Sequence, residues 1–172
     1  MNIFLIGLPG SGKSTLGKEL ALKLNLTIVD TDVQIVATVG KTIEEIFKIS
    51  GESYFRKLEQ TTLHEISEND NQLISTGGGM PCFFDNMKHM NQKGITIFID
   101  VPVENLHQRL IGSGSHKRPM LEGKTDREVL EFLRQKYEER FPYYSKALIT
   151  IKGANIKASE IISELEKRKI NR

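Results

Sequence analysis

"GLPGSGKST", residues 7–15, follows directly on the apolar run "IFLI" at 3–6. It contains G-x-x-x-x-G-K-[ST], with Gly7, Gly12, Lys13 and Ser14 in the fixed places. A strand before the loop and an amphipathic helical pattern after it, over 13–24, supply the context this motif needs. Glycines let backbone N–H groups turn inward around phosphate oxygens, at the positive end of the following helix. Lys13 then reaches the β- and γ-phosphates, and the Ser14 hydroxyl is placed to ligate Mg²⁺. The loop names a nucleotide site but not what receives the phosphate.

Outward from the loop, short apolar runs alternate with helical patterns. The runs are "IFLI" (3–6), "TIV" (27–29), "QLIS" (72–75), "ITIFI" (95–99) and "ALITI" (147–151). They read as strands of a parallel sheet, apolar on both faces. Helices are expected over 13–24, 32–39, 42–49, 53–68, 103–111, 126–139 and 156–169, with Thr42 and Glu45 spaced as a capping box. This alternation predicts an α/β fold with helices on both faces of the sheet and ligands beyond the strands' carboxyl ends. No repeat or linker interrupts it, so one domain over 1–172 is expected.

Composition excludes several function classes. The 24 basic residues nearly balance 22 acidic ones and Trp is absent, which argues against nucleic-acid binding. No apolar stretch approaches the roughly 20 residues of a membrane span. "MNIFLIG" lacks a basic leader and breaks at Pro9 and Gly10, so it reads as a buried strand rather than a signal peptide. A lone cysteine, Cys82, fits a reducing cytoplasm and a small apolar packing role. The four histidines lack the paired spacing of a zinc site. Nothing resembles an exposed apolar seam, so a monomer is expected.

The acceptor must come from the rest of the chain. No Asn-Lys-x-Asp guanine motif occurs, and Asp100 at the end of "ITIFID" reads either as an acidic strand end or as a cap. "GSGSHKRPMLEGKT", residues 112–125, is a solvated loop or a closing lid. A small-molecule kinase needs such a lid to exclude water, and Arg118 within it is placed to offset charge on a transferring phosphate.

Three constellations suggest an acceptor pocket. "VDTD" sets Asp30 and Asp32 two apart. In extended chain both carboxylates point to one side, one for Mg²⁺ and one to take a hydroxyl proton. A pair of turn or N-cap aspartates is the other reading. In "GESYFRKLE" (51–59), Arg56 and Glu59 share a helix face, either as an exposed ion pair or as a held guanidinium gripping a substrate carboxylate. Phe47 and Phe55 read as core. "STGGGMP" (75–81) places three glycines after a strand, for a tight turn or for close approach to a ligand.

Taken together, the phosphate loop, "DTD", "GExxFRxxE", "TGGG", the "RP" of "KRPML" and the "RxPxY" of "RFPYY" resemble the shikimate kinase family. The resemblance runs from residue 3 to about 150. It implies a three-layer α/β/α P-loop fold with a five-stranded parallel sheet, a substrate-binding segment over about 32–60 and a mobile lid over about 112–125. It also implies transfer of the γ-phosphate of ATP to the 3-hydroxyl of shikimate, in the route to chorismate and the aromatic amino acids. Gly10, Ser11, Gly12, Lys13, Ser14 and Thr15 would then bind ATP phosphates, with Ser14 and Asp30 near Mg²⁺. Asp32 would bind shikimate hydroxyls and act as general base. Arg56 and Arg140 would clamp the carboxylate, and Gly78 and Gly79 would offer backbone donors. Arg118 would close over ATP, and Arg109 would flank an adenine whose other contacts lie near Gly153–Asn155. The alternatives are another small-molecule P-loop kinase, such as gluconate kinase, or a non-catalytic ATP-binding protein.

Overall fold

All five apolar runs become strands of one sheet in the computed structural model, which describes residues 1–112 and 123–170. Arg118 and most of the expected lid therefore lie outside the described residues. The strands are β1 (Asn2–Ile6), β2 (Thr27–Asp30), β3 (Gln72–Ser75), β4 (Gly94–Asp100) and β5 (Ile149–Lys152). Their order is β2-β3-β1-β4-β5, every pairing is parallel, and Leu5 lies opposite both Ser75 and Ile97.

The helices are α1 (Lys13–Leu24), α2 (Thr31–Val39), α3 (Ile43–Ser67), α4 (Asn86–Lys93), α5 (Val103–Gly112), α6 (Asp126–Tyr144) and α7 (Ala158–Ile170). Right-handed crossovers assign them to layers. The step from β1 to the edge strand β2 runs opposite to the later steps, so α1 covers one face, where it meets α7. The steps β2 to β3, β3 to β4 and β4 to β5 put α3, α4 and α6 on the other.

Burial on both faces holds at the centre and fails at the edges. β1 and β3 are buried throughout, whereas β2 is exposed to half-buried and β5 alternates buried with exposed residues. β2 and β5 are the edge strands, each lacking a neighbour on one side. Two helical readings also needed correction. α4 was not expected, because "NMKHMNQK" has only Met87 and Met90 to bury, too thin a stripe to read as a period. α6 continues five residues past 139, through Pro142 in its last turn, because the wholly buried Tyr144 anchors that turn to the core.

The two expected helices at 42–49 and 53–68 abut as α3, broken at Gly51 (φ 78°, ψ 172°). Thr42 and Glu45 form the expected capping box, the Glu45 carboxylate accepting the Thr42 N–H at 2.7 Å. Beyond the main core, Ile35, Ile46 and Phe55 form a small second one that fixes α2 against α3, with Phe47 half-buried at its margin.

Candidate active site

The carboxyl ends of β1 and β3 lie side by side at the centre of the sheet, where connections leave in opposite directions. Open α/β sheets bind ligands at such a crevice. A cavity of about 560 Å³ opens there, and its wall includes Lys13, Ser14, Asp30, Asp32, Thr76 and Arg140.

The loop after β1 takes the backbone form its glycines allow, with φ of 147° at Gly7, 83° at Gly10 and 94° at Gly12. A Cβ on Gly7 would stand 2.8 Å from the Ile99 carbonyl oxygen, so β4 itself forbids a side chain there. Gly12 caps α1, and the buried Lys13 curls back so that Nζ donates to the carbonyls of Gly7 (2.8 Å) and Leu8 (3.0 Å). An ammonium thus sits at the heart of the loop. Gly10, Gly12, Ser14 and Thr15 line the cavity, whereas the buried Ser11 does not.

Asp30 and Asp32 do come together with the loop, but not through extended chain. The strand ends at Asp30 and α2 starts at Thr31, so the alternation argument for the pair does not apply. Asp30 is the N-cap of α2, its Oδ1 accepting the N–H groups of Asp32 (3.1 Å) and Val33 (3.4 Å). Its other oxygen, Oδ2, accepts the Ser14 hydroxyl at 3.2 Å. The capping reading of Asp30 therefore holds, and its second oxygen faces the phosphate loop through Ser14. Asp32 occupies the first turn of α2 and turns toward the glycine segment.

Each glycine of "TGGG" faces a different charged side chain. A Cβ on Gly77 would lie 2.7 Å from Asp32 Oδ1 and 2.9 Å from Glu59 Oε1. One on Gly78 would lie 3.0 Å from Arg140 Nη1, and one on Gly79 would collide with Arg56 Nη1 at 2.3 Å. The segment is held from below: the Gly77 N–H donates to Thr31 Oγ1 (2.9 Å), and the Tyr144 hydroxyl donates to the Gly78 carbonyl (2.5 Å).

Arg56 and Glu59 are buried and joined at 2.7 Å, which settles the ion pair as an internal one. Glu52, one turn earlier, takes Nε at 3.1 Å and Nη2 at 2.8 Å. Burial works against the charge on Arg56, but the Glu59 and Glu52 carboxylates outweigh it and its pKa is raised. Burial likewise pushes the Glu59 carboxyl up, to about 7, against the pull of Arg56. Glu59 also feels Asp32 and Arg140, so the four charges form one group. Arg140 reaches the cavity wall, while Arg56 stands outside that wall, against Gly79. Cys82 lies half-buried beside these charges, with burial pushing its thiol up to about 11.

Three residues inside the quoted motifs, given no role by the sequence alone, bond to these groups. Glu52 lies four before Arg56 and Tyr144 four after Arg140, both on the shared helix face. Thr31 sits between the two aspartates that drew attention. Asp100, in contrast, is structural: it accepts the Tyr137 hydroxyl at 3.1 Å and does not line the cavity. Arg109 donates to the carbonyls of Gly10 (3.2 Å) and Ala154, tying the phosphate loop to the 153–155 turn. It also lines a second hollow with Gly12, Thr15 and Ile156.

A phosphate loop at the sheet's switch point, facing a cavity lined by Asp30, Asp32 and Arg140, defines the class as a P-loop protein. The shikimate kinase family model matches residues 9–169. Shikimate kinase of Bacteroides fragilis is 47% identical over 147 residues, 86% of this chain and 82% of that one. A solved shikimate kinase of Bacteroides thetaiotaomicron superposes with a TM-score of 0.90 at 40% identity, covering 97% of both chains. One from Acinetobacter baumannii, solved in complex with shikimate, gives a TM-score of 0.86 at 30% identity, over 99% of this chain and 93% of that one. The chain belongs to the shikimate kinase family.

Proposed function

We propose that this chain transfers the γ-phosphoryl group of ATP to the 3-hydroxyl of shikimate, giving shikimate 3-phosphate and ADP. The observation that carries the reading is the convergence of Arg56, Arg140 and Asp32 on the three glycines, beside the phosphate loop. Shikimate is a small triol with one carboxylate. Two fixed guanidiniums suit the acid, and a carboxylate suits the hydroxyls. A gluconate kinase shares the loop but would not call for an arginine held by the buried Glu59 with a second, Arg140, near the same glycines.

In this reading Gly10, Ser11, Gly12, Lys13, Ser14 and Thr15 cradle the phosphates, and Arg109 flanks the nucleoside near Gly153–Asn155. Lys13 leaves its loop carbonyls to meet the charge developing on the β–γ bridge. Arg56 and Arg140 hold the carboxylate, and Gly78 and Gly79 let the substrate and the arginines approach the backbone. Asp32 accepts the 3-hydroxyl proton as that oxygen bonds to the γ-phosphorus and the bond to ADP breaks. For Arg118, which lies outside the described residues, the sequence alone suggests the role of offsetting charge on the transferring phosphate.

The donors fit Mg²⁺. A hydroxyl and a carboxylate oxygen meet at Ser14 and Asp30, both hard ligands, and among the described residues no cluster of three or more His, Cys, Asp or Glu completes a cage. Mg²⁺ keeps waters and substrate phosphates as its other ligands, and bound there it would neutralise phosphate charge. No described helix is long and apolar enough to cross a membrane. A cytoplasmic monomer is the setting we infer.

Replacing Arg56 removes one of the two guanidiniums proposed for the substrate carboxylate and breaks the ion pair of the buried Glu59. Calorimetry on Arg56→Ala should show shikimate binding weaker by about 2–5 kcal/mol, at least roughly 30-fold, with Mg-ATP affinity unchanged. Unchanged shikimate affinity would refute the clamp.

A further inference from the structure

The edges of the Arg56 guanidinium are tied to Glu52 and Glu59. Aromatic rings pack against its faces as well. The Phe83 ring lies nearest, with Cζ of Arg56 4.2 Å from the ring centroid, against 5.3 Å for Phe55 and 5.8 Å for Phe47. Phe55 and Phe47 belong to α3 and the second core, whereas Phe83 arrives from the glycine segment. The same guanidinium rests against the bare Cα of Gly79, four residues before Phe83.

The turn between them is built to deliver that ring. A single 3₁₀ turn, Met80–Cys82, follows Gly79, with the Cys82 N–H donating to the Gly79 carbonyl at 2.9 Å. The wholly buried Asn86 donates Nδ2 to the Met80 carbonyl at 2.9 Å, and its N–H meets the Phe83 carbonyl at 3.3 Å. Between them the backbone turns left-handed at Phe84 (φ 51°), a conformation unusual for an aromatic residue. Phe84 is left exposed while Phe83 stays half-buried over Arg56. A backbone strained to expose one phenylalanine is hard to explain by core packing, since the ring that gains a partner is its neighbour.

We propose that Phe83 is a positioning residue for substrate binding, stacking on Arg56 so that the guanidinium plane is fixed for the substrate carboxylate. This rests on the reading of Arg56 as the shikimate clamp. A desolvated cation over an aromatic face is held in orientation as well as attracted. Through Phe83, the turn that carries Gly79 also sets the arginine packed against it.

The test is steady-state kinetics on Phe83→Leu and Phe83→Tyr, with Arg56→Ala alongside. Phe83→Leu should raise the KM for shikimate roughly 5- to 30-fold, leaving the KM for ATP within about twofold. Phe83→Tyr, which keeps the ring, should restore the parent value. Because Phe83 is half-buried, Phe83→Leu should fold, and a thermal midpoint near the parent's checks this. A parent-like shikimate KM in Phe83→Leu, while Arg56→Ala loses shikimate, would overturn the positioning role alone. Arg56→Ala binding shikimate normally would overturn the clamp on which the role rests. Equal rises in both KM values, or no rescue by Tyr, would mean a merely structural ring.

Discussion

Gly79 leaves no space for a side chain, because Arg56 Nη1 already occupies the position 2.3 Å from where its Cβ would lie. Gly79→Ala should therefore push the guanidinium aside. Losing its charge-assisted hydrogen bonds, each worth about 1.5–3 kcal/mol, should raise the shikimate KM roughly 10- to 100-fold while the ATP KM holds. Glu59 offers a second test at this scale. It is 1% exposed, and burial holds its carboxyl near pKa 7 against the ordinary 4.5. The folded protein thus keeps this proton to higher pH than the unfolded chain does. The group's contribution to stability is full below about 4.5 and is lost as pH rises through about 7. Denaturant unfolding across that range should show the loss in the parent protein and a flatter profile in Glu59→Gln. A parent profile no steeper than that of the variant would show that Glu59 titrates normally. The sequence suggested that glycines, aspartates and arginines converge, and the structure brings Asp32, Arg56 and Arg140 against the three glycines. The sequence did not show which glycine served which side chain, because that assignment depends on how β3, α2, α3 and α6 meet.

Among the elements, α3 shows most clearly what a one-dimensional pattern carries. Its two halves were legible as separate helices because Gly51 interrupts the period, and the capping box at Thr42 and Glu45 marks its start. With φ 78° and ψ 172°, Gly51 occupies a region that side chains other than glycine's enter only at a cost of about 1–3 kcal/mol. Gly51→Ala should lose about that much stability in urea, even though nothing within 4 Å crowds the new methyl. An unchanged midpoint would mean that the bend is not fixed by the backbone at this residue. α4 and the end of α6 were illegible for a related reason. Two methionines and one buried tyrosine secure them, and such single anchors leave no periodic trace.

At the scale of the whole molecule, the strand order explains why residues so far apart in sequence share a pocket. β1 lies between β3 and β4, so the phosphate loop leaves the sheet beside the glycine segment. Thr76 fastens the two by donating both its N–H (3.2 Å) and its hydroxyl (3.0 Å) to the Leu5 carbonyl. α2 and α3 then bring the carboxylates and Arg56 from one side, and α6 brings Arg140 from another. The motif and the strand–helix alternation were enough to infer a parallel α/β sheet with its ligand beyond the strands' carboxyl ends, but not the strand order. The supporting contacts of Thr31, Glu52, Tyr144 and Phe83 emerged only from packing. The central claim is that shikimate accepts the phosphoryl group and Asp32 takes the proton. The most direct measurement is ADP release from Mg-ATP with shikimate, with gluconate or with no acceptor, for the parent protein and Asp32→Asn. Shikimate alone should support turnover, and Asp32→Asn should cut it by about 10²–10⁴-fold. Turnover with gluconate, or shikimate turnover undiminished in Asp32→Asn, would contradict the account.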